Sequence, residues 1–134
     1  MKRYIDASFV AFLAGWLMQV VVYSFYPLRF SNGTSSDNNL GSMAFAFFLF
    51  GFMANLLFVQ LPSASVQKVF FNTNAIQFAL LLSAYGVVIF ALTMFWAASS
   101  NFSQSLPLFV SAAINGLTYG LVFHLLWKPE SLSK

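Results

Sequence analysis

Long uncharged runs dominate this sequence and divide it into segments. Residues 7–28, 38–67 and 69–127 contain no Asp, Glu, Lys or Arg. A membrane-spanning helix needs about 20 apolar residues, so the first two runs hold one crossing each. The third run is long enough for two crossings, and a polar stretch at residues 99–105, followed by Pro107, divides it. The pattern therefore predicts four transmembrane helices, at residues 6–27, 41–61, 76–98 and 106–127.

These segments favour helices over barrel strands. Residues 45–50 are apolar at every position, whereas a barrel strand is short and alternates apolar with polar side chains. The composition agrees, because the chain is 60% hydrophobic and only 7% charged, while a soluble domain carries about a quarter charged residues. We expect an all-α integral membrane protein, a four-helix bundle that forms a single transmembrane domain over residues 1–134. Its surroundings are then the lipid bilayer.

The basic residues predict an orientation. With four crossings, both chain ends and the 62–75 loop lie on one side of the membrane. That side carries five of the six basic residues, and the other side carries only Arg29. The five are Lys2, Arg3, Lys68, Lys128 and Lys134. Because basic residues concentrate in cytoplasmic loops, we expect both termini in the cytoplasm of a multi-pass protein, and we favour a bacterial inner membrane.

An internal similarity suggests a duplicated hairpin. Gly51, three residues of any type and Asn55-Leu56-Leu57-Phe58 align with Gly120 and His124-Leu125-Leu126-Trp127 at the same spacing. Duplicated units are frequent in membrane folds. The alignment predicts two like-oriented helical hairpins, related by an axis along the membrane normal.

The fourth predicted helix has a face of small residues. Ala112, Gly116 and Gly120 recur at every fourth position, a spacing that lets another helix backbone approach closely. We predict that these three residues form a helix-packing face. Two partners remain open, a helix of the same chain or a second copy in a homodimer.

Four polar residues within the apolar runs form a candidate polar pocket. They are Asn55, Gln77, Asn115 and His124. Polar groups in hydrocarbon need partners. One interpretation is hydrogen bonds between helices, worth about 0.6 kcal/mol each. The other is a pocket or solute path that opens to the cytoplasm.

Enzyme chemistry finds little support in the sequence. There is no Ser/His/Asp set, no pair of intramembrane carboxylates and no glycine-rich phosphate loop. The chain has no cysteine and a single histidine, so we expect no metal site, no cofactor and no catalytic residue. The scattered basic residues form no stripe that would follow nucleic acid. The 18 phenylalanines favour contact with lipid and core packing, with a groove for an isoprenoid or acyl chain as the alternative.

The size and four-span plan resemble those of small bacterial membrane families such as the GtrA-like polyprenyl-glucose flippases. The local likeness begins at Asn39 and ends with Asn55-Leu56-Leu57-Phe58, and the basic residues usual after that exit are replaced by Val59-Gln60-Leu61-Pro62. The resemblance implies movement of a lipid-linked sugar.

Two functions follow as hypotheses. The first is a non-catalytic accessory or structural component that acts through helix–helix contacts, as a homo-oligomer or in a larger membrane complex. The second is a small oligomeric carrier or flippase for a neutral or lipid-linked solute.

Overall fold

The computed structural model describes residues 2–25, 38–96 and 102–127 and is helical throughout these segments apart from short turns. This confirms the predicted all-α class. The helices are α1 (Lys2–Phe25), α2 (Asn38–Asn55), α3 (Ser63–Asn72), α4 (Ala75–Trp96) and α5 (Phe102–Leu126), and α2 continues into a π-helical turn, Leu56–Gln60. The predicted ends at residues 27 and 98 lie outside the described residues.

Three helical segments are each long and apolar enough to cross a membrane: Arg3–Phe25, Ala75–Leu92 and Leu106–Leu126. A fourth crossing is available only as a bent pair, in which Ala44–Gln60 and Ser63–Asn72 meet at 77°. The described chain therefore has three or four candidate spans, and this places the protein in a membrane.

The bend follows from Pro62. Proline has no N–H to continue the helix, and Pro62 leaves the helical region at φ −87° and ψ 38°. Its carbonyl then accepts hydrogen bonds from the N–H groups of Ser65 (2.9 Å) and Val66 (3.1 Å), which begin α3. The sequence predicts a loop at residues 62–75, because this segment is too short and too weakly apolar to stand out from its neighbours. The structure has α3 there instead.

The end of α3 is also built locally. Thr73 is extended at φ −127° and ψ 147°, and its Oγ1 donates to the carbonyl of Val69 at 2.7 Å. This bond satisfies one of the carbonyls that a helix end leaves open.

The long helices pack in the order α2, α1, α5, α4. Helix α5 lies between α1 and α4, and α2 packs on the other side of α1. Within the described residues, α2 and α4 do not form a packed helix pair. The bundle is therefore an arc with an opening between its first and last members.

The outer faces of the helices are apolar. Large apolar side chains stand exposed there, including Phe50 (68%), Ile76 (70%) and Leu125 (71%). Exposure of this kind along helices of membrane-spanning length fits contact with acyl chains. The buried core lies inside the arc, where Phe12, Phe78 and Phe123 are almost fully enclosed.

A candidate binding groove between α2 and α4

A cavity of about 390 Å³ lies inside the arc, and we call it the groove. Residues of α1, α2, the π-helical turn, α4 and α5 line it. Its apolar walls include Phe47, Phe50, Phe58, Leu82, Ile89 and Phe90. Five of the 18 phenylalanines that were candidates for a groove line it, at positions 12, 47, 50, 58 and 90.

The groove faces the opening between α2 and α4. Three of its lining residues are exposed: Phe50 of α2, Phe58 of the π-helical turn and Tyr85 of α4. Near the π-helical turn, Phe58 meets the ring of Tyr85 edge-on, with centroids 5.5 Å apart, so this contact bridges the opening at one level. The groove is therefore open to the side of the bundle.

A buried hydrogen-bonded cluster lies at one end of the groove, and we call it the polar triad: Ser8 of α1, Asn55 of α2 and Tyr119 of α5. Ser8 Oγ and Tyr119 Oη each donate to Asn55 Oδ1 at 2.8 Å. The two hydroxyl oxygens are themselves 2.9 Å apart. These side-chain hydrogen bonds connect three helices, and they constrain the positions of the helices relative to one another.

The amide nitrogen of Asn55 is buried without a hydrogen-bond partner among the described residues. Its residue is only 4% exposed, yet its Nδ2 has no hydrogen-bond partner in the described structure. Asn55 also lines the groove. A buried amide group without a partner destabilises by about 1–3 kcal/mol, and hydrocarbon offers it none.

A second polar pair lies on the groove wall. Asn115 Nδ2 of α5 donates to Gln19 Oε1 of α1 at 2.6 Å, and both residues line the groove. The side chain of Asn115 packs directly on Gly15, where a Cβ atom would collide with its amide oxygen. Gly15 therefore provides the room in which the Asn115 amide reaches Gln19.

The predicted small-residue face lies against α4 of the same chain. A Cβ on Gly116 would come within 2.6 Å of Ser83 Cα, and one on Gly120 within 2.5 Å of Ala79 Cα. Ala112 follows on the same side, with its carbonyl near Gly86. Ser83 Oγ also donates to the carbonyl of Ala113 at 2.8 Å. Of the two partners left open by the sequence, the structure fills this face from within one chain.

The structure does not bring the four predicted pocket residues together. Asn55 and Asn115 line the groove. Gln77 is exposed on α4 and its Oε1 accepts from the backbone N–H of Asn74 at 3.3 Å, as a helix-start contact. His124 stacks on Phe70, with ring centroids 4.5 Å apart. Neither residue lines the groove, whose walls on α4 and α5 reach only to Leu82 and Tyr119.

Sequence reasoning missed Ser8 as a site residue and gave Tyr119 and Gln19 no partner. Hydroxyl groups at positions 8 and 119 carry little hydropathy signal, because a serine or tyrosine is common in a membrane helix. The available signal was that Tyr119 shares a helix face with Asn115. Which hydroxyl meets which amide depends on helix register, and no pattern within one helix reports it.

The groove lining offers uncharged hydrogen-bonding groups, the side-chain amides and phenols described above. Its lining contains no Asp, Glu, His, Lys, Arg or Cys among the described residues. No group of three or more His, Cys, Asp or Glu side chains in the described structure is placed to hold a metal ion. Comparison with family models, curated proteins and solved structures finds no match for this chain.

Proposed function

We propose that this protein is a non-catalytic membrane protein that binds a neutral, lipid-soluble or lipid-linked molecule in the groove, as a small carrier or flippase. The observation that carries the proposal is an apolar groove with uncharged polar groups at its base and an opening toward lipid. Such a site can hold an apolar chain along its apolar walls and an uncharged polar group beside its polar side chains.

Charge supports the choice of a neutral ligand. An ionised group is expensive to bury without a partner, and the groove lining carries no countercharge. Its polar members are three amides and two phenols, Gln19, Asn55, Asn115, Tyr85 and Tyr119. These groups recognise hydroxyl, carbonyl or amide functions through hydrogen bonds.

The size of the groove also supports binding. Ligand sites are commonly about 300–1,000 Å³, mostly apolar and furnished with a few placed polar groups. A volume of about 390 Å³ holds part of an extended chain and its polar end. The remainder of a longer molecule would lie in the bilayer, through the opening between α2 and α4.

The proposal includes a topology. The chain crosses a bacterial inner membrane four times, with α2 as the second crossing, α3 along the cytoplasmic surface and both termini in the cytoplasm. The excess of basic residues on that side supports it. In each proposed hairpin a glycine of the second helix meets the first helix: Gly51 lies against Phe12, and Gly120 against Ala79.

An accessory role through helix contacts is the second candidate. Its support is the broad exposed apolar surface of the described helices. However, α4 of the same chain fills the face of Ala112, Gly116 and Gly120, so a second copy or another subunit would need a different surface. This leaves the groove as the more specific feature.

Photocrosslinking tests the proposed function. The probe is an uncharged long-chain alkyl diazirine, added to the protein in lipid nanodiscs, with mass spectrometry to locate the attachment sites. We expect attachment to concentrate on groove residues such as Phe58 and Tyr85. Equal labelling of groove and outer helix faces would contradict the proposal.

A matched pair of variants makes the test specific. Ala46 lines the groove, whereas its neighbour Phe45 is 63% exposed outside it. Ala46→Trp should fill the groove and reduce labelling there several-fold, while Phe45→Trp should leave it unchanged. If both variants label like the wild type, the groove is not the binding site.

A further inference from the structure

The polar triad has fewer hydrogen-bond protons than short oxygen–oxygen contacts. Three contacts of 2.8, 2.8 and 2.9 Å join Ser8 Oγ, Tyr119 Oη and Asn55 Oδ1 to one another. Each hydrogen bond uses one proton, but a serine and a tyrosine hydroxyl supply one each and an amide oxygen supplies none. Two protons serve three contacts, so in this arrangement two oxygens face each other at hydrogen-bond distance without a hydrogen between them.

A 180° rotation of the Asn55 side-chain amide, which exchanges Oδ1 and Nδ2, supplies the missing proton. The oxygen and nitrogen of an asparagine amide have nearly the same size, and their assignment rests on the hydrogen bonds they make. With Nδ2 between the two hydroxyls, the triad has four protons for three contacts. One hydroxyl proton is then not used within the triad. If it is the Ser8 proton, a backbone carbonyl one helical turn earlier in α1 can accept it.

The rotation also changes the character of the unpaired group. The buried position without a partner, now held by Nδ2, would hold Oδ1. The residue that lines the groove would then offer an acceptor rather than a donor. That position is enclosed in the described conformation, so a ligand reaches it only after a neighbouring side chain moves, and the ligand then completes the site by donating a proton.

We therefore propose that the groove selects molecules that carry a hydroxyl group, whose O–H donates to Oδ1 of Asn55. This inference rests on the proposed function, and it names the chemistry of the ligand: a neutral, long-chain alcohol rather than an ether, ester or ketone. An ether or a carbonyl presents only acceptors, and it would set oxygen against oxygen at Asn55.

The test compares radiolabelled hexadecanol with hexadecyl methyl ether for equilibrium binding to the protein in nanodiscs. The two probes share the chain and differ in the donated proton. We expect the alcohol to bind about tenfold more tightly, the factor that corresponds to about 1.4 kcal/mol. Equal affinities would overturn the inference and leave the proposed function standing, whereas failure of both probes to bind would overturn the proposed function.

Two variants assign the preference to Asn55. Asn55→Leu should bind both probes with similar affinity, because the acceptor is gone and the walls remain. Gln77→Leu makes the same change at an exposed amide outside the groove and should keep the tenfold preference. A preference that survives in Asn55→Leu would overturn the inference.

Nuclear magnetic resonance of the wild type keeps the inference testable if Asn55→Leu does not fold. With selectively labelled asparagine, both side-chain N–H protons of Asn55 should be protected from exchange and shifted downfield in ligand-free protein, since both are donated to hydroxyls. Unprotected protons at Asn55 would show that its nitrogen faces away from the triad, and this would overturn the inference.

Discussion

Close packing at single glycines sets the α4–α5 contact. The backbone of α4 leaves no room for a side chain at Gly116, where a Cβ would lie 2.6 Å from Ser83 Cα and 2.7 Å from the carbonyl oxygen of Leu82. At Gly86, in the same pair of helices, the nearest atom would be 3.7 Å away. Of these two glycines, Gly86 has room for a methyl group and Gly116 does not.

Gly116→Ala should destabilise the protein by about 1–3 kcal/mol, because backbone atoms cannot move aside as a flexible side chain would. Gly86→Ala adds the same methyl group at ordinary contact distance and should be neutral or slightly stabilising, since alanine favours the helix. The free energy of unfolding in mixed micelles measures both. Equal losses for the two variants would contradict the contact described here.

The Gln19–Asn115 pair makes a second prediction at this scale. Gln19→Leu should cost about 1–3 kcal/mol, because it leaves the Asn115 amide without its partner in an apolar setting. The double variant Gln19→Leu with Asn115→Leu should cost less than the sum of the two single changes, since both polar groups are then gone. Unfolding in micelles gives the coupling, and strict additivity would show that the two amides do not interact.

At the scale of elements, the π-helical turn interrupts the regular α-helix beside the polar triad. It begins directly after Asn55, and π-helical turns inside α-helices frequently mark functional positions. Tyr4 Oη of α1 donates to the carbonyl of Val59 at 2.7 Å. The 77° bend after Gln60 leaves the last carbonyls of this helix without helical partners, and the Tyr4 hydroxyl supplies a donor to one of them.

Tyr4→Phe should loosen this junction. We expect a loss of about 0.5–1.5 kcal/mol and faster hydrogen exchange in the π-helical turn and α3, with little change in α4. Tyr85→Phe removes a hydroxyl at an exposed position and serves as the control. If exchange in α3 is unaffected by Tyr4→Phe, the hydroxyl does not support the bend.

The long apolar helices could be predicted from the sequence, because hydropathy marks them. Absence of charge located the apolar helices to within a few residues, because burial of charge in lipid is expensive over a whole span. It did not reveal α3, where one lysine and several polar side chains average out the signal. Pairing of Asn55 with Ser8 and Tyr119 was also out of reach, since it depends on how three helices are rotated against each other.

At the scale of the whole molecule, α3 is a marker of orientation. Lys68 is exposed on α3, and the proposed topology puts this helix on the cytoplasmic surface. The chain has no cysteine, so a single engineered cysteine can be labelled without background.

Lys68→Cys should react with a membrane-impermeant maleimide in inside-out vesicles and stay unlabelled in right-side-out ones. Arg29→Cys, in the loop proposed to face the opposite side, should show the reverse pattern. Labelling of both positions from the same side would exclude the four-crossing topology and leave the three-span alternative.

The opening between α2 and α4 determines how affinity for this protein must be expressed. A molecule that enters sideways from the bilayer is already concentrated there by partitioning, so it competes with the surrounding lipid rather than with water. Occupancy then follows its mole fraction in the membrane. Dilution with buffer should leave bound ligand nearly unchanged, whereas dilution with extra lipid should release it.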